Sequence, residues 1–551
     1  MRKNRFVLPS LFLLLISACL NQPDILTGSV RNKNGPVGGA VVRIQTSEIS
    51  TITDKDGNFA FSGLSPKKPS KLTAWSSGYY IAGGEETYLP GETEIVLELK
   101  EHIDTDYQGY EWLSAFSTEG KQNNCQNCHS QEDDPLSHLP FDEWILDAHS
   151  QSTRNVRFLT MYQGTDIHGN QSPLTRKAYN RDYGSFPLPP DPSLPYYGPG
   201  YKIDFPDTAG NCSACHAPMQ AISAPYGTDP SSVAEGAEGI SCDFCHKIWA
   251  VNLNHDGLPS PNMPGVLSYQ FRRPGGEHQL FMGPLDDVAP GEDTFSPLQN
   301  QSEFCAPCHT AVFWDTPIYN SFGEWLESPY SDPVSGKTCQ ECHMPTGLTD
   351  HFALIAEGGL ERAPGTIFSH HMPGAASLDL LTNAVSVSVK GWKEEGLANV
   401  QVEITNDQTG HHVPTDSPLR HMILVIKART ESSEMLELIE GPVIPDWAGI
   451  GDPDDGHYGG QPGIIYAKVL TELWTEVSPS GNYWNPTMIA SDNRIAAFET
   501  DTANFQFIDP NEGKLTINVE LIFRRAFIEL MDQKGWDVPD VMMAEEIIIL
   551  E

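Results

Sequence analysis

Cys125-Gln126-Asn127-Cys128-His129 is the first of five copies of one pattern, C-x-x-C-H, and these copies decide how the chain folds. The pattern is the attachment signal of c-type haem. Two thiols three positions apart can each form a thioether with one porphyrin, and the adjacent histidine then lies beneath the iron. The other four copies occupy residues 212–216, 242–246, 305–309 and 339–343.

Each copy assigns two cysteines and one histidine to one cofactor, so the sequence predicts five haem c groups. Structural zinc or a thioredoxin-like redox pair would explain the cysteines, but neither explains a histidine at the same next position every time. Covalent attachment is predicted at Cys125, Cys128, Cys212, Cys215, Cys242, Cys245, Cys305, Cys308, Cys339 and Cys342. The predicted proximal iron ligands are His129, His216, His246, His309 and His343.

The region that carries the motifs, residues 101–380, offers about 56 residues for each haem, too few for five separate protein cores. We therefore predict a pentahaem domain in which the porphyrins form much of the interior and the chain is mostly α-helical or irregular. The short gaps from His216 to His246 and from His309 to His343 predict two close pairs. These are the second haem with the third, and the fourth with the fifth.

An internal repeat indicates one distal ligand, the residue that binds iron opposite the motif histidine. The segment 141–150 follows the first motif and reads as a short helix, with His149 one turn beyond Ile145. We interpret His149 as a distal ligand, and a solvated helix histidine is the alternative. The second copy, residues 322–331, has Tyr330 at this place, and a tyrosine cannot replace imidazole with the same chemistry.

Thirteen of the 18 histidines lie outside the motifs, so enough are available to close every haem. His370 and His411 each begin a His-His-x-Pro sequence. The proline stiffens the backbone and so limits the directions in which the histidine side chain can point. We hypothesise that His411 reaches back from the C-terminal domain to a haem. His138 and His278 are further candidates for distal ligands, without a supporting pattern.

Several of these motifs together resemble a known superfamily. The segments are Trp144 to His149, Glu238-Gly-Ile-Ser-Cys-Asp-Phe-Cys-His246, Cys339-Gln-Glu-Cys-His343-Met-Pro and His370-His-Met-Pro-Gly. They resemble the multihaem cytochromes c related to the small tetrahaem electron carriers of ammonia oxidisers. They are more distantly similar to hydroxylamine oxidoreductase and pentahaem nitrite reductase.

This resemblance covers roughly residues 105–380 and implies that His149 and His370 are distal ligands. The chain departs from it in two ways. No C-x-x-C-K motif is present, so the lysine-ligated catalytic haem of the nitrite reductases is not expected. The five motifs are also fewer than the eight haems of the oxidoreductases.

Residues 1–19 read as an export signal, with a basic start and an apolar stretch too short to span a membrane comfortably. The segment ends in Ile16-Ser17-Ala18-Cys19, which resembles the bacterial lipoprotein box and implies lipidation of Cys19. The alternative is ordinary secretion with an incidental cysteine. Haem attachment outside the cytoplasmic membrane agrees with export. An outer-membrane or cell-surface location is favoured over the inner membrane.

Residues 24–100 alternate short β-branched runs with turns, which predicts a small β-sandwich. Asp54-Lys-Asp-Gly57 is predicted to be a hairpin turn, with a calcium loop as the alternative. The order of these elements resembles the carboxypeptidase regulatory-like domain, which in that family is a non-catalytic spacer. Residues 381–551 contain further alternating strands and predict a second, antiparallel β-sandwich.

The chain has 73 acidic and 34 basic residues, which argues against nucleic acid as a partner. We expect redox proteins as partners and a lipid anchor as the membrane contact, and self-assembly into a filament is compatible with the sequence. The sequence favours an electron carrier with mostly bis-histidine haems, acting in extracellular or periplasmic respiration. The alternative is an oxidoreductase that acts on a small nitrogen or sulfur compound at one open haem.

Overall fold

The computed structural model describes residues 24–65, 67–118, 124–234, 236–276, 278–511 and 513–551. The chain forms two compact units. The first runs to His102 and includes Leu285–Phe295, and the second comprises Ile103–Pro284 and Ser296–Glu551. The export signal and Cys19 lie outside the described residues. The domain boundaries expected at 19, 100 and 380 stay predictions.

The first unit contains two four-stranded sheets. In one, β1 pairs antiparallel with β2 and β5 and parallel with β8, and in the other the strand order is β4-β3-β6-β7. Leu26 and Phe59 from the first sheet share a core with Val42 and Leu72 from the second. The strands are β1 (Leu26–Asn32), β2 (Gly35–Pro36), β3 (Val41–Ile44), β4 (Ser50–Ile52), β5 (Asn58–Phe61), β6 (Ser70–Trp75), β7 (Ala82–Tyr88) and β8 (Ile95–Glu98).

The predicted turn at Asp54 is present, because its carboxylate accepts hydrogen bonds from the backbone amides of Asp56 and Asn58 at 2.9 and 2.8 Å. The turn joins β4 to β5, and these strands pair with β3 and β1 in different sheets. The prediction of a hairpin is therefore wrong. Local sequence fixes a turn, but it does not decide which strand each of the two flanking segments pairs with.

Residues 103–380 contain short helices and two-stranded hairpins joined by irregular chain. The helices have four to eight residues, so the helical part is smaller than expected. They are α1 (Cys125–His129), α2 (Pro140–Trp144), α3 (Val156–Gln163), α4 (Tyr201–Asp204), α5 (Ser213–His216), α6 (Pro218–Ala221), α7 (Cys242–Cys245), α8 (Ser321–Leu326), α9 (Cys339–His343) and, at the boundary, α10 (Leu378–Thr382). The strands are β9 (Lys177–Asn180), β10 (Gly184–Pro187), β11 (Ile248–Val251), β12 (Tyr269–Phe271), β13 (Phe281–Gly283), β14 (Asp293–Phe295), β15 (Ala311–Phe313) and β16 (Thr316–Tyr319).

The C-terminal region forms the predicted antiparallel sandwich. One sheet has the order β17-β18-β23-β20 and the other β22-β21-β19-β24-β25. Val400 and Ile404 of the first sheet and Leu424 and Leu521 of the second share one core. The elements are β17 (Ser386–Glu394), β18 (Leu397–Thr405), β19 (His421–Thr430), β20 (Leu438–Glu440), β21 (Gly463–Glu472), β22 (Thr487–Asp492), β23 (Thr500–Ile508), β24 (Leu515–Arg524), α11 (Ile528–Lys534) and β25 (Val541–Leu550).

None of the helices in the described parts of the chain combines the length and the apolar character needed to cross a bilayer.

Candidate haem sites

Four of the five C-x-x-C-H motifs lie on the short helices α1, α5, α7 and α9. The motif without a helix forms an equivalent turn, in which the amides of Cys308 and His309 donate to the carbonyl of Cys305 at 3.3 and 3.2 Å. All ten motif cysteines are free of disulfides. A single turn of chain therefore holds both thiols and the histidine of each motif close together, as attachment to one porphyrin requires.

Backbone carbonyls orient three of the motif histidines. The Nδ1 of His129 lies 2.6 Å from the carbonyl oxygen of Phe352, and that of His246 lies 2.6 Å from the carbonyl of Met282. The Nδ1 of His343 lies 2.8 Å from the carbonyl of Pro373. A carbonyl can only accept, so Nδ1 carries the proton and Nε2 keeps its lone pair for a metal. This is the arrangement found at metal-binding histidines in general.

Three motif histidines face a second histidine ring at one nearly constant distance. The ring centres are 6.3 Å apart for His149 and His309 and 6.5 Å apart for His246 and His370. They are 6.3 Å apart for His343 and His411.

This spacing fits an iron bound between two imidazoles. A metal lies about 2 Å from each nitrogen, and each nitrogen lies about 1.1 Å from its ring centre, so the two centres should be about 6 Å apart. The histidines of the third, fourth and fifth motifs therefore each have a second imidazole at a suitable spacing, from His370, His149 and His411 respectively.

Asp147 links two of these distal histidines. One oxygen of its buried carboxylate lies 2.6 Å from the Nδ1 of His149, and the other accepts from the backbone amide of Met372 at 3.1 Å. The first contact orients His149 in the same way as the carbonyls orient the motif histidines. The second fixes the loop that presents His370. The sequence gave no signal for this role, because nothing in it brings residues 147 and 372 together.

The Glu238-Gly-Ile segment packs closely on the end of the His149 turn. The indole Nε1 of Trp144 donates to the carbonyl of Ile240 at 2.8 Å, and the amide of Ile240 donates to the carbonyl of His149 at 2.9 Å. A Cβ atom on Gly239 would lie 2.2 Å from the His149 carbonyl oxygen. Only glycine allows this approach, so the segment before the third motif helps to set the position of a ligand of the fourth.

A glutamate in each copy of the internal repeat holds one His-His-x-Pro loop. Glu143 of α2 accepts from the backbone amide of His370 at 2.6 Å. Glu324 of α8 accepts from the amide of His412 at 3.2 Å and from Arg494 at 2.7 Å. The two copies of the repeat therefore have the same structural role, because each helix anchors a loop that carries a candidate distal histidine.

Burial keeps several of these imidazoles neutral. Desolvation, with smaller effects from neighbouring histidines, lowers the pKa of His370 to about 3, and desolvation lowers the pKa of His216 to about 4. Burial also lowers the pKa values of His411 and His309. A neutral imidazole is the form that binds a metal, so these rings are ready for iron at ordinary pH.

The motifs contact one another through their cysteines. The thiols of Cys125 and Cys242 interact, which lowers the pKa of Cys125 and places the first motif beside the third. The thiols of Cys215 and Cys308 join the second motif to the fourth, and those of Cys305 and Cys339 join the fourth to the fifth. Cys245 and Cys308 pack against one apolar cluster, so the third and fourth motifs are neighbours as well.

The five motifs thus form one continuous array. The contact between the fourth and fifth motifs agrees with the pairing expected from sequence spacing. The second motif contacts the fourth through its thiol, where spacing favoured the third, because chain separation does not determine distance in the folded state.

The first and second motifs differ from the other three. The ring of Phe158 stacks on that of His216, with 3.7 Å between centres and 9° between planes. Among the described residues, neither His216 nor His129 has another histidine ring at the spacing found for the three pairs. A cavity of about 460 Å³ adjoins the second motif at Asn211 and is lined by aromatic side chains, among them Phe205, Phe313 and Trp484.

The remaining sequence candidates lie elsewhere. His138 is partly exposed and contacts Glu143 through Nδ1 at 3.0 Å. The role proposed for His278 stays a prediction.

The ring of Tyr330 stacks on Phe498 with 5.0 Å between centres, so Tyr330 packs in the C-terminal region. No group of three or more acidic, histidine or cysteine side chains arranged to hold a bare metal ion occurs in the described residues.

Comparison with known proteins gives one domain match. Residues 25–98 match the carboxypeptidase regulatory-like domain, which confirms the resemblance found in that segment. A solved structure similar to this chain is a penta-heme cytochrome c552 from Thermochromatium tepidum. The TM-score is 0.49 at 19% identity, over 77% of this chain and 97% of that chain. No curated protein matches the sequence.

Proposed function

We propose that this chain is an exported pentahaem c-type cytochrome lipoprotein that transfers electrons along closely packed, mostly bis-histidine haems. The observation that carries the proposal is the constant spacing of 6.3 to 6.5 Å between three motif histidines and their partner rings. Three independent pairs at the distance needed for an iron are difficult to explain by any other function of these residues.

Haem iron supplies one-electron chemistry, and the protein contributes binding, orientation and electrostatics. In each pair, His149, His370 or His411 would be the second imidazole ligand of a haem iron and would leave no position open to small molecules. The carbonyls and carboxylates on the Nδ1 atoms hold the rings in one tautomer. Contacts between motifs keep neighbouring sites within one packed interior, which favours transfer between them.

The proposed location is the outer membrane or the cell surface, with lipidated Cys19 as the anchor, in periplasmic or extracellular respiration. The net charge of −39 favours redox partners with a basic surface and disfavours nucleic acid. Self-assembly into a filament is compatible with the proposal. The carboxypeptidase regulatory-like domain would act as a spacer between anchor and haem domain.

Two measurements on the purified protein test this function. We expect a haem assay in alkaline pyridine to give five haems per chain, and electron paramagnetic resonance with spin quantitation to show at least three low-spin haems. Fewer than three low-spin haems per chain would contradict the proposal, because at least one of the three histidine pairs would then not bind iron.

The second candidate function is an oxidoreductase that acts on a small nitrogen or sulfur compound at the second haem. It is favoured by the cavity beside Asn211 and because no described residue places a second histidine ring near His216. We expect the reduced protein to bind carbon monoxide at about one haem in five if only the second site is open, and at about two in five if the first is open as well, because His129 also has no partner histidine among the described residues. A fully low-spin protein that binds no carbon monoxide would leave the carrier function alone.

A further inference from the structure

Two arginines lie side by side where β19 begins and β24 ends. The strands are antiparallel, and His421 is opposite Arg524 in their register. Continuing that register by one residue places Arg420 opposite Arg525. Residues opposite each other on neighbouring antiparallel strands have Cβ atoms about 5 Å apart. Two guanidinium groups therefore leave the sheet at the same point.

Helix α3 brings a third arginine to this place. Met161 of the helix packs in one apolar cluster with Leu419 and Ala526, the chain neighbours of the two strand arginines. Arg157 lies four residues before Met161 and so faces the same way. The electrostatics agree with this placement, because burial and the charges of Arg525 and Arg420 lower the pKa of Arg157.

The cluster has little negative charge of its own. Arg420 lies 3.7 Å from Asp416 and donates to the carbonyl of Thr415 at 3.2 Å. No carboxylate of the described residues forms an ion pair with Arg157 or Arg525, and the Nε of Arg525 is buried without a hydrogen-bond partner. Because acidic residues outnumber basic ones by 73 to 34, two half-buried arginines without an acidic partner are unexpected. Buried charge without a partner is costly, so these groups need an anion from outside the polypeptide.

The arginine cluster lies between the second and fourth motifs. Phe158, the residue after Arg157, stacks on the ring of His216. Asp416, the partner of Arg420, lies 3.9 Å from the Nδ1 of His309. An anion held here would thus sit beside two of the proposed haem sites.

We propose that Arg157, Arg420 and Arg525 form a binding site for a carboxylate or a small inorganic oxyanion. The planar guanidinium fork suits both, because it donates two parallel hydrogen bonds to a pair of oxygens. The anion has two sources, a propionate of a haem attached to the second or fourth motif, or a free oxyanion from solution. Only the first source rests on the proposed haem function.

The test compares the wild-type holoprotein with Arg525→Gln and Arg157→Gln, and uses Arg154→Gln as the matched control. Arg154 is exposed and lies one turn before Arg157 in sequence. Inorganic sulfate is titrated calorimetrically into each protein at low ionic strength. The reduction potentials are measured by spectroelectrochemistry from pH 5 to pH 8. Haem content and far-ultraviolet circular dichroism establish that each variant has folded, and Arg525→Lys replaces Arg525→Gln if that variant does not fold.

A free-anion site predicts sulfate binding by the wild type that weakens at least tenfold in Arg525→Gln and Arg157→Gln and is unchanged in Arg154→Gln. A propionate in the site predicts that neither variant changes sulfate binding. In that case both variants alter the pH dependence of one haem potential, because a propionate that loses its arginines titrates at higher pH. Unchanged sulfate binding together with unchanged potentials at every pH would overturn the proposal. A protein without haem that still bound sulfate here would refute the proposed function and leave the anion site intact.

Discussion

At the scale of single residues, the proposed iron sites depend on which ring nitrogen of each histidine is engaged. His129, His246 and His343 each have Nδ1 on a backbone carbonyl, and His149 has Nδ1 on the carboxylate of Asp147. The opposite nitrogen is left for a metal in every case. A hydrogen bond of this kind also limits rotation of the ring, so the ligand is held in place before the cofactor is attached.

We predict that His411→Ala changes only the fifth haem. The ring centre of His411 is 6.3 Å from that of His343, and no other histidine pair includes either residue. Removal of the imidazole should convert about one haem in five from low to high spin. Electron paramagnetic resonance with spin quantitation measures this. His255→Ala is the control, because His255 is 89% exposed, and an unchanged spectrum in His411→Ala would contradict the assignment.

A second residue-scale prediction concerns Lys534, whose ammonium group donates to the carbonyls of Thr160, Thr165 and Pro199 at 3.1, 3.0 and 2.6 Å. Burial lowers the pKa of Lys534 from 10.5 to about 7. Between these two values the unfolded chain holds the proton and the folded chain releases it. Stability contributed by this group is therefore greatest above pH 10.5 and is lost as the pH falls towards 7.

Urea denaturation at several pH values between 7 and 10 measures this effect. The free energy of unfolding should rise more steeply with pH in the wild type than in Lys534→Met, which has no group to titrate. Lys55→Met is the control, since Lys55 is exposed and should leave the slope unchanged. Equal slopes in the wild type and Lys534→Met would show that Lys534 does not titrate in this range.

At the scale of elements, the internal repeat pairs a short helix with a His-His-x-Pro loop. In α2 and α8 the glutamate of the Phe-x-Glu-Trp sequence is buried and accepts a backbone amide of the loop. Neither helix is long enough to be stable alone, so it depends on tertiary packing. The helix and the loop therefore stabilise each other. The helix holds the loop in place, and the loop provides the hydrogen-bond donor that the buried carboxylate needs.

We predict that Glu324→Gln loosens the loop that carries His411. The Glu324 and Arg494 side chains are 2% and 6% exposed and 2.7 Å apart, and loss of one partner leaves a buried charge. The free energy of unfolding should fall by about 3 kcal/mol, and the fifth haem should lose part of its low-spin signal.

Glu403→Gln is the matched control for this substitution. Glu403 pairs with Lys390, and the two side chains are 34% and 61% exposed. An exposed pair of this kind contributes less than about 1 kcal/mol. Chemical denaturation and paramagnetic resonance are measured for both variants. Equal effects in the two would show that Glu324 does not hold the loop that carries His411.

At the scale of the whole molecule, contacts between cysteines join the five motifs into one array, with the fourth motif next to the second, third and fifth. In the proposed function, an array of this kind would give an electron one continuous path that branches at the fourth motif. The chain around it carries a net charge of −39, so any charged partner meets a strong negative field.

We predict that reduction of the protein by a cationic metal-ammine complex slows as ionic strength rises from 10 to 300 mM. The rate with an anionic metal-cyanide complex should instead increase, because salt screens attraction in the first case and repulsion in the second. Stopped-flow absorbance of the haem bands gives both rates. Identical salt dependence for the two reagents would show that the acidic surface does not affect electron entry.

The sequence by itself predicted the haem attachment sites, because covalent attachment needs only residues within one turn of chain. It also indicated both β-sandwiches, since alternation of side chains is a local property. It singled out His149, His370 and His411 as candidate distal ligands, through local patterns and a family resemblance. Nothing in the sequence could show that His149 lies opposite His309, since 160 residues separate them.

Only the tertiary structure decided which histidine faces which motif, because each pairing depends on where packing brings distant loops. The same holds for Asp147 and for the three arginines, which come from α3 and from the ends of two strands. The predicted hairpin at Asp54 failed for this reason as well, because a turn is a local feature and strand pairing is a global one. Local features such as a turn or a haem attachment motif depend on neighbouring residues. The surroundings of each site depend on how segments far apart in the chain are buried together.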